Sequence, residues 1–459
     1  IIVSKEVPQI CPHCASQDIS PDPDTFDTGF ILWLWPLLVL GWPQNKEGFS
    51  AHFPLNALIV PHTVVTFWVA KMLVASTTLA ASRPFDDVFV HGTLPRAATS
   101  PKLHTGSPDQ LEGLLSYGAD AFRFAVLSTT VQAHELQISP ARLTHGRNFV
   151  NKIWHMTQVL RGMLRPEDTP QTLSLDDREI AALDLPERWI LMASNRVIDA
   201  TGKALTAYRF HEALLGLYHF VRNDLSGWYL EMAKLRSDSP SVKKSLYTVL
   251  ERILRAVHPF VPFVTEYIWQ RIPHENAAVM IAPWPQFEMR LHARDIDEQV
   301  AVLKGIIHAV RAVRIRTKTA RRARPIVMIV TDDPFCRDLF GRYDELIRQM
   351  TNVLAFECVR APDDVAGSAL EAGPGFWIYV PISSKLDQGR EFTRLRRRLA
   401  RLRSGAKRLT ARLADEAFER KAPQEIVQTT KQHLAYLEKM SGCLTACLRY
   451  APDTGEEGS

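Results

Sequence analysis

The segment from Pro84 to Phe124 constrains the fold of this chain more than any other. It reads as a strand, Val88 to His91, apolar and β-branched and closed by Gly92. A loop follows, kept irregular by Pro95, Pro101, Gly106 and Pro108, and a helix opens near Asp120. A strand that leads through a loop to a helix is an α/β building block, so part of the chain must be a sheet with helices against it.

The length of 459 residues predicts about two to four domains, each with its own core. Hydrophobic residues at 46% and charged residues at 23% are ordinary for a globular protein. The net charge of +5 is unevenly spread. Lys304 to Arg324 holds eight Lys or Arg and no acid, and Arg390 to Leu413 holds ten with the single acid Glu391. Such blocks are either solvated helix faces or contacts for a polyanion. Arg outnumbers Lys, which suits phosphate forks.

Six cysteines, Cys11, Cys14, Cys336, Cys358, Cys443 and Cys447, are too few for a disulfide framework. They predict a reducing compartment, the cytosol or the mitochondrial matrix. The apolar run from Gly29 to Trp42 contains Pro36 and is too short to span a bilayer, so no membrane partner is expected. The sequence opens on Ile1, which fits a removed targeting peptide or a fragment boundary equally. Cys11-Pro12-His13-Cys14 has the spacing of half a zinc knuckle. Zinc held by Cys11 and Cys14 is one reading, and two free thiols in a tight turn is the other. Cys443 and Cys447, four apart on a helix, read as ordinary thiols.

Several motifs resemble class I aminoacyl-tRNA synthetases, above all the valine enzymes. His91-Gly92 and Tyr117-Gly-Ala-Asp-Ala-Phe-Arg-Phe124 match that family around its nucleotide site. Between them the family carries Lys-Met-Ser-Lys-Ser, whereas this chain has Lys102-Leu-His-Thr-Gly106, with Thr105 in place of the second lysine. Asp24-Thr-Phe-Asp-Thr-Gly-Phe30 resembles a D-x-L-D-T-W-F-S-S stretch, with Gly29 for Trp and Ile31-Leu32 for the serines. Leu58 to Met72 resembles a stretch preceded by T-G-x-D, with Pro61 at the Gly and Thr63 at the Asp. The resemblance implies an adenylate site in which that Gly allows close backbone approach and that Asp accepts from ribose. Proline has no N–H and a fixed φ, and threonine offers no charged acceptor. The family's His-x-Gly-His motif does not occur within these 459 residues, and by the resemblance no editing domain is expected among them. Pro61, Thr63, His91, Gly92, Lys102 and Thr105 therefore read as degenerate nucleotide-site positions, with no catalytic residue and no use of ATP expected.

Beyond residue 136 the apolar residues recur at helical spacing. Arg147 to Trp154, Leu185 to Leu191 and Val257 to Trp269 resemble the anticodon-binding bundle of the valine, isoleucine and leucine enzymes. Residues 295–385 read as a small α/β unit, with strands at Pro325 to Val330, Ala355 to Val359 and Trp377 to Val380 and a helix over Glu345 to Met350. Phe392, Leu395, Leu399, Leu402, Ala406, Leu409 and Leu413 form a heptad seam. A second runs through Val427, Thr430, Leu434, Leu437, Ser441, Leu444 and Leu448, with Pro423 in the turn region. The pair resembles the C-terminal coiled-coil arm of valine enzymes, which lies against tRNA.

The expected fold is α/β plus all-α. A Cys-pair knuckle (1–24) precedes half a Rossmann-type domain (25–135). An anticodon-binding-type bundle (136–290), a small α/β linker (291–385), an antiparallel coiled-coil arm (386–450) and a disordered tail (451–459) follow. The expected function is a valine–tRNA ligase-like protein without catalysis that binds structured RNA, a tRNA or the RNA of a larger ribonucleoprotein such as a ribosome. Arg314, Arg316, Arg321, Arg322, Arg394, Arg397, Arg398, Arg401, Arg408 and Arg412 are the candidate RNA contacts. The alternatives are the C-terminal part of a split or longer active ligase, and a structural subunit whose halved sheet packs on protein.

Overall fold

The computed structural model describes the chain except for Ile1, Lys5, Phe26, Pro374 and residues 94–115, 131–137, 293–295, 317–321, 360–367, 382–384, 416–417, 419–423 and 449–459. The chain divides into two compact units, Ile1–Gly146 with Ala204–Glu212, and Arg147–Lys203 with Ala213–Ser459.

In the first unit, helix α1 (Thr28–Trp33) is capped by Asp27, whose side chain accepts from the backbone N–H of Gly29 at 2.7 Å. Strand β1 (Leu55–Pro61) pairs in parallel with β2 (Phe85–His91), Leu55 opposite Phe85 and Pro61 opposite His91. A parallel pair needs a crossover, and here it is helical. A 3₁₀ turn (His62–Val64) and a π turn (Val65–Val69) lead into α2 (Ala70–Ala80). The stretch His62–Ala80 has a mean hydropathy of 1.5 and is long and apolar enough to cross a membrane. The sequence reading passed it over because Lys71, Ser76 and Thr77 interrupt the apolar letters while leaving the average high. Phe67, Leu73, Val74 and Leu79 are exposed along it.

Helix α3 (Ala119–Leu127) opens after Gly118, whose φ of +96° few side chains tolerate. Helix α4 (Pro140–Met163) begins nearby, and a Cβ on Gly146 would lie 2.5 Å from the carbonyl oxygen of Ala121. Residues 204–212 pack on β2. Tyr208 Oη donates to Asp87 Oδ2 at 3.0 Å, and the Phe210 ring stands edge-on to Phe89 at 5.1 Å.

The second unit opens with a helical bundle. It contains most of α4, of α5 (Leu185–Thr206) and of α6 (Phe210–His219), then a π-helical segment (Phe220–Tyr229), α7 (Pro240–Val257) and α8 (Pro262–Trp269). Helix α7 buries Val242, Leu246, Val249, Leu250, Ile253 and Val257, the spacing of a core-facing stripe. Ile190, Leu214, Leu217, Leu225 and Trp269 are also buried. Each such side chain contributes roughly 1.5–3 kcal/mol by leaving water, so this core dominates the unit.

A four-stranded sheet follows in the order β4-β3-β6-β5. Strands β3 (Ile326–Val330) and β4 (Ala355–Val359) are parallel, while β5 (Ser368–Gly373) and β6 (Phe376–Pro381) add antiparallel partners. Helices α9 (Ile296–Arg316) and α10 (Pro334–Thr351) accompany it. The sequence reading missed β5 because Ser-Ala-Leu-Glu-Ala-Gly has little strand propensity. Its pairing with β6 overrides that preference.

The last two helices, α11 (Lys385–Leu413) and α12 (Gln424–Leu448), pack on each other. Leu395 and Leu399 join Met440 and Leu444 in one cluster with Val330 and Tyr379 of the sheet. Further along, Gly405 lies against Leu437. Early residues of α11 thus meet late residues of α12, as in an antiparallel pair.

Candidate functional site

Of the six positions read from sequence as a degenerate nucleotide site, four, Pro61, Thr63, His91 and Gly92, lie at the carboxyl ends of β1 and β2, where open parallel sheets bind ligands. Pro61 ends β1 in an extended conformation, φ −72° and ψ 153°, beside His91. Thr63 stands two residues on, exposed in the 3₁₀ turn. Half-buried His91 has Nδ1 2.7 Å from the carbonyl oxygen of buried Gly92. Pro61 presents no N–H and Thr63 no carboxylate, so this end of the sheet lacks a close-approach glycine and an anionic ribose acceptor at those positions. Lys102 and Thr105 lie outside the described residues.

The Cys pair forms a tight turn. Cys11 N–H donates to the Ser16 carbonyl at 2.8 Å, Ala15 N–H donates back to the Cys11 carbonyl at 2.9 Å, and Ala15 has φ +55°. The backbone N–H of His13, and then that of Cys14, holds the half-buried Cys11 thiol below its usual pKa. Such a turn offers two thiolates to one metal. No group of three or more His, Cys, Asp or Glu suited to a metal occurs among the described residues. Cys443 and Cys447 have no described side chains.

The basic stretches divide into two kinds. Glu371, on strand β5, gathers three guanidinium groups. Arg316 Nη1 lies 2.9 Å from its Oε2, Arg394 Nη2 3.4 Å from the same oxygen, and Arg398 pairs with Oε1. Arg314 donates to the carbonyls of Asn352 and Ala323, both at 3.0 Å. Arg316, Arg394 and Arg398 therefore tie α9 and α11 to the small sheet, while Arg314 ties α9 to the segments just before β3 and just after α10. Glu371 lies at least 23 residues from any of its partners in sequence, and no local pattern reveals it. Arg397, Arg401, Arg408 and Arg412 are exposed on α11, as are Arg396, Arg403 and Lys407, which complete the same basic surface. Arg322 is exposed, and Arg321 lies outside the described residues.

One buried ionisable group carried no sequence signal. Glu187, in the first turn of α5, is 0% exposed, and Arg236 Nη2 lies 2.5 Å from its Oε1. Burial pushes its carboxyl up to about 7 despite Arg236. Among the described residues its buried Oε2 has no hydrogen-bond partner.

Comparison with known families follows the same layout. The family of "tRNA synthetases class I (I, L, M and V)" matches residues 3–139, the "Anticodon-binding domain of tRNA ligase" matches 187–329, and the "Valyl tRNA synthetase tRNA binding arm" matches 387–449. The chain is thus class I tRNA synthetase-like, with an anticodon-binding-type bundle, high helical content and small sheets. Within that class it is valine–tRNA ligase-like. It is 32% identical over 96% of its length to the valine–tRNA ligase of Carboxydothermus hydrogenoformans, of which it covers 50%. It is 30% identical to that of Lactobacillus johnsonii over 93% of its length and 31% identical to that of Geobacillus stearothermophilus over 91%, covering 49% and 48% of them. The chain spans about half the length of the curated relatives it matches.

Proposed function

We propose that this chain binds structured RNA, a tRNA or the RNA of a larger ribonucleoprotein, and does not charge it on its own. The observation that carries this reading is the pairing of an altered nucleotide end with an intact basic arm. Pro61 and Thr63 occupy the rim of the parallel pair. Among the described residues, seven Arg or Lys side chains remain exposed on α11 after Glu371 has taken Arg394 and Arg398. By the resemblance, positions 61 and 63 are where an adenylate site would bring backbone close to the ribose and accept from its hydroxyls, and a proline and a threonine do neither. A rim altered in this way leaves RNA contact as the chemistry best supported.

The test is valine-dependent ATP–pyrophosphate exchange by the purified chain. The expected result is no exchange above a no-enzyme blank, and the double variant Thr63→Asp/Thr105→Lys does not create it. Exchange above the blank contradicts the reading.

A second reading is the C-terminal part of a split or longer active valine–tRNA ligase. The relatives' names and the half-length match favour it. In either reading the two-stranded pair, with Ile59 61% and Val88 40% exposed, is an incomplete layer. Parallel sheets bury both faces, so a further polypeptide segment is proposed to cover it.

A further inference from the structure

Helix α4 and the π-helical segment border a cavity of about 250 Å³ in the second unit. Positions 148, 151, 152 and 155 fall at helical spacing and share one face of α4. That face brings Asn148, Asn151, Lys152 and His155 to the cavity wall. None of these four side chains makes a hydrogen bond or ion pair among the described residues. Ser226 lines the same cavity from the π-helical segment. It is 7% exposed, and its hydroxyl has no hydrogen-bond partner among the described residues. A buried hydroxyl without a partner costs free energy unless something in the cavity supplies one. Segments of π-helix are rare and occur frequently at functional sites. The short helix that follows (Leu230–Lys234) contributes Lys234, whose ammonium lies 2.7 Å from Glu231 Oε1. Glu231, the one carboxylate among the described lining residues, is thus already neutralised. Buried Met156 and Leu230 add an apolar wall.

From this we infer that the cavity binds the phosphate group of a small phosphomonoester. An ammonium, two carboxamides and a hydroxyl offer many donors, and the carboxylate is occupied, so the lining suits an anion with several acceptor oxygens. The donors come from two separate elements, which fits a tetrahedral oxyanion better than a flat carboxylate. Lysine binds phosphate as a point charge, whereas paired carboxylate recognition favours arginine. The volume lies below the roughly 300–1,000 Å³ of drug-sized sites, so the ligand is small, and its organic part meets Met156 and Leu230. An RNA backbone phosphate has the same chemistry but is tethered on both sides, and the buried Ser226 hydroxyl favours a free terminal phosphate. The inference goes beyond the RNA-binding reading and does not rest on it.

The experiment is a calorimetric titration of the full chain with glycerol phosphate at constant ionic strength, with glycerol and acetate as controls. One saturable site is expected for glycerol phosphate and none for either control. Ser226→Ala and Lys152→Met each remove a donor to a charged group, so each is expected to weaken binding by about 10- to 150-fold. Both variants should unfold in urea at the parent's midpoint, since Ser226 has no hydrogen bond to lose among the described residues and Lys152 is exposed. Equal binding by the parent and both variants places the anion elsewhere and overturns the site. Acetate bound as tightly overturns the phosphate assignment, and so does an absence of saturable binding, which leaves the cavity to solvent. A tRNA transcript is expected neither to displace glycerol phosphate nor to change its salt slope in Lys152→Met. Displacement, with a slope shallower by about 0.7–0.9 in that variant, assigns the site to RNA backbone and overturns the small ligand. Because the first titration contains no RNA, failure of RNA binding leaves its result standing.

Discussion

Glu187 shows how a single residue sets a pH dependence for the whole second unit. Its folded-state pKa of about 7 lies above the ordinary value of 4.5, so the folded protein holds this proton more tightly than the unfolded chain. The stability it contributes is full below about pH 4.5 and is lost as pH rises to about 7. At 1.36 kcal/mol per unit the loss is on the order of 3 kcal/mol. Glu187→Gln keeps an acceptor for Arg236 and removes the titration. Relative to the parent, the variant should gain stability between pH 5 and pH 7.5 by an amount of that order, read from urea unfolding at both pH values. An equal difference at the two pH values would show that Glu187 does not titrate in this window. Nothing in Leu-Pro-Glu-Arg-Trp marks this glutamate in the sequence, since its burial arises from packing with elements some 50 residues away.

At the scale of elements, local pattern decided what could be read. The apolar periodicity of α7 and the leucines of α11 were legible because burial follows spacing directly. Strand β5 was not, because its partner β6 rather than its composition makes it a strand. Glu371 was hidden for a similar reason: it pairs with Arg316, Arg394 and Arg398, and only the tertiary fold brings them together. The motifs grouped Pro61, Thr63, His91 and Gly92, and the parallel register sets Pro61 opposite His91 at the carboxyl ends of β1 and β2. The knuckle around Cys11 and Cys14 has its own test. If zinc is bound, Cys11→Ser should carry less metal than the parent by elemental analysis, because one thiolate is lost. Equal metal in both, or none in either, removes the site.

For the whole molecule the central claim is that the chain meets RNA through the basic face of its arm. Arg397, Arg401 and Arg408 are exposed there, and none of them is among the arginines that Glu371 holds. A like-charged surface repels itself unless an anion approaches, and on a phosphate backbone it releases counterions. Contact with about four to six phosphates gives a slope of log affinity against log salt of roughly −3 to −5. The most direct measurement is a salt titration of binding to a structured RNA, a tRNA transcript, by the parent and by Arg397→Gln/Arg401→Gln/Arg408→Gln. The triple change is expected to leave folding intact, since exposed substitutions cost little, and to make the slope shallower by roughly two to three units. A slope that stays the same would contradict the account, because the basic face would then be solvated or paired with protein acids rather than with RNA.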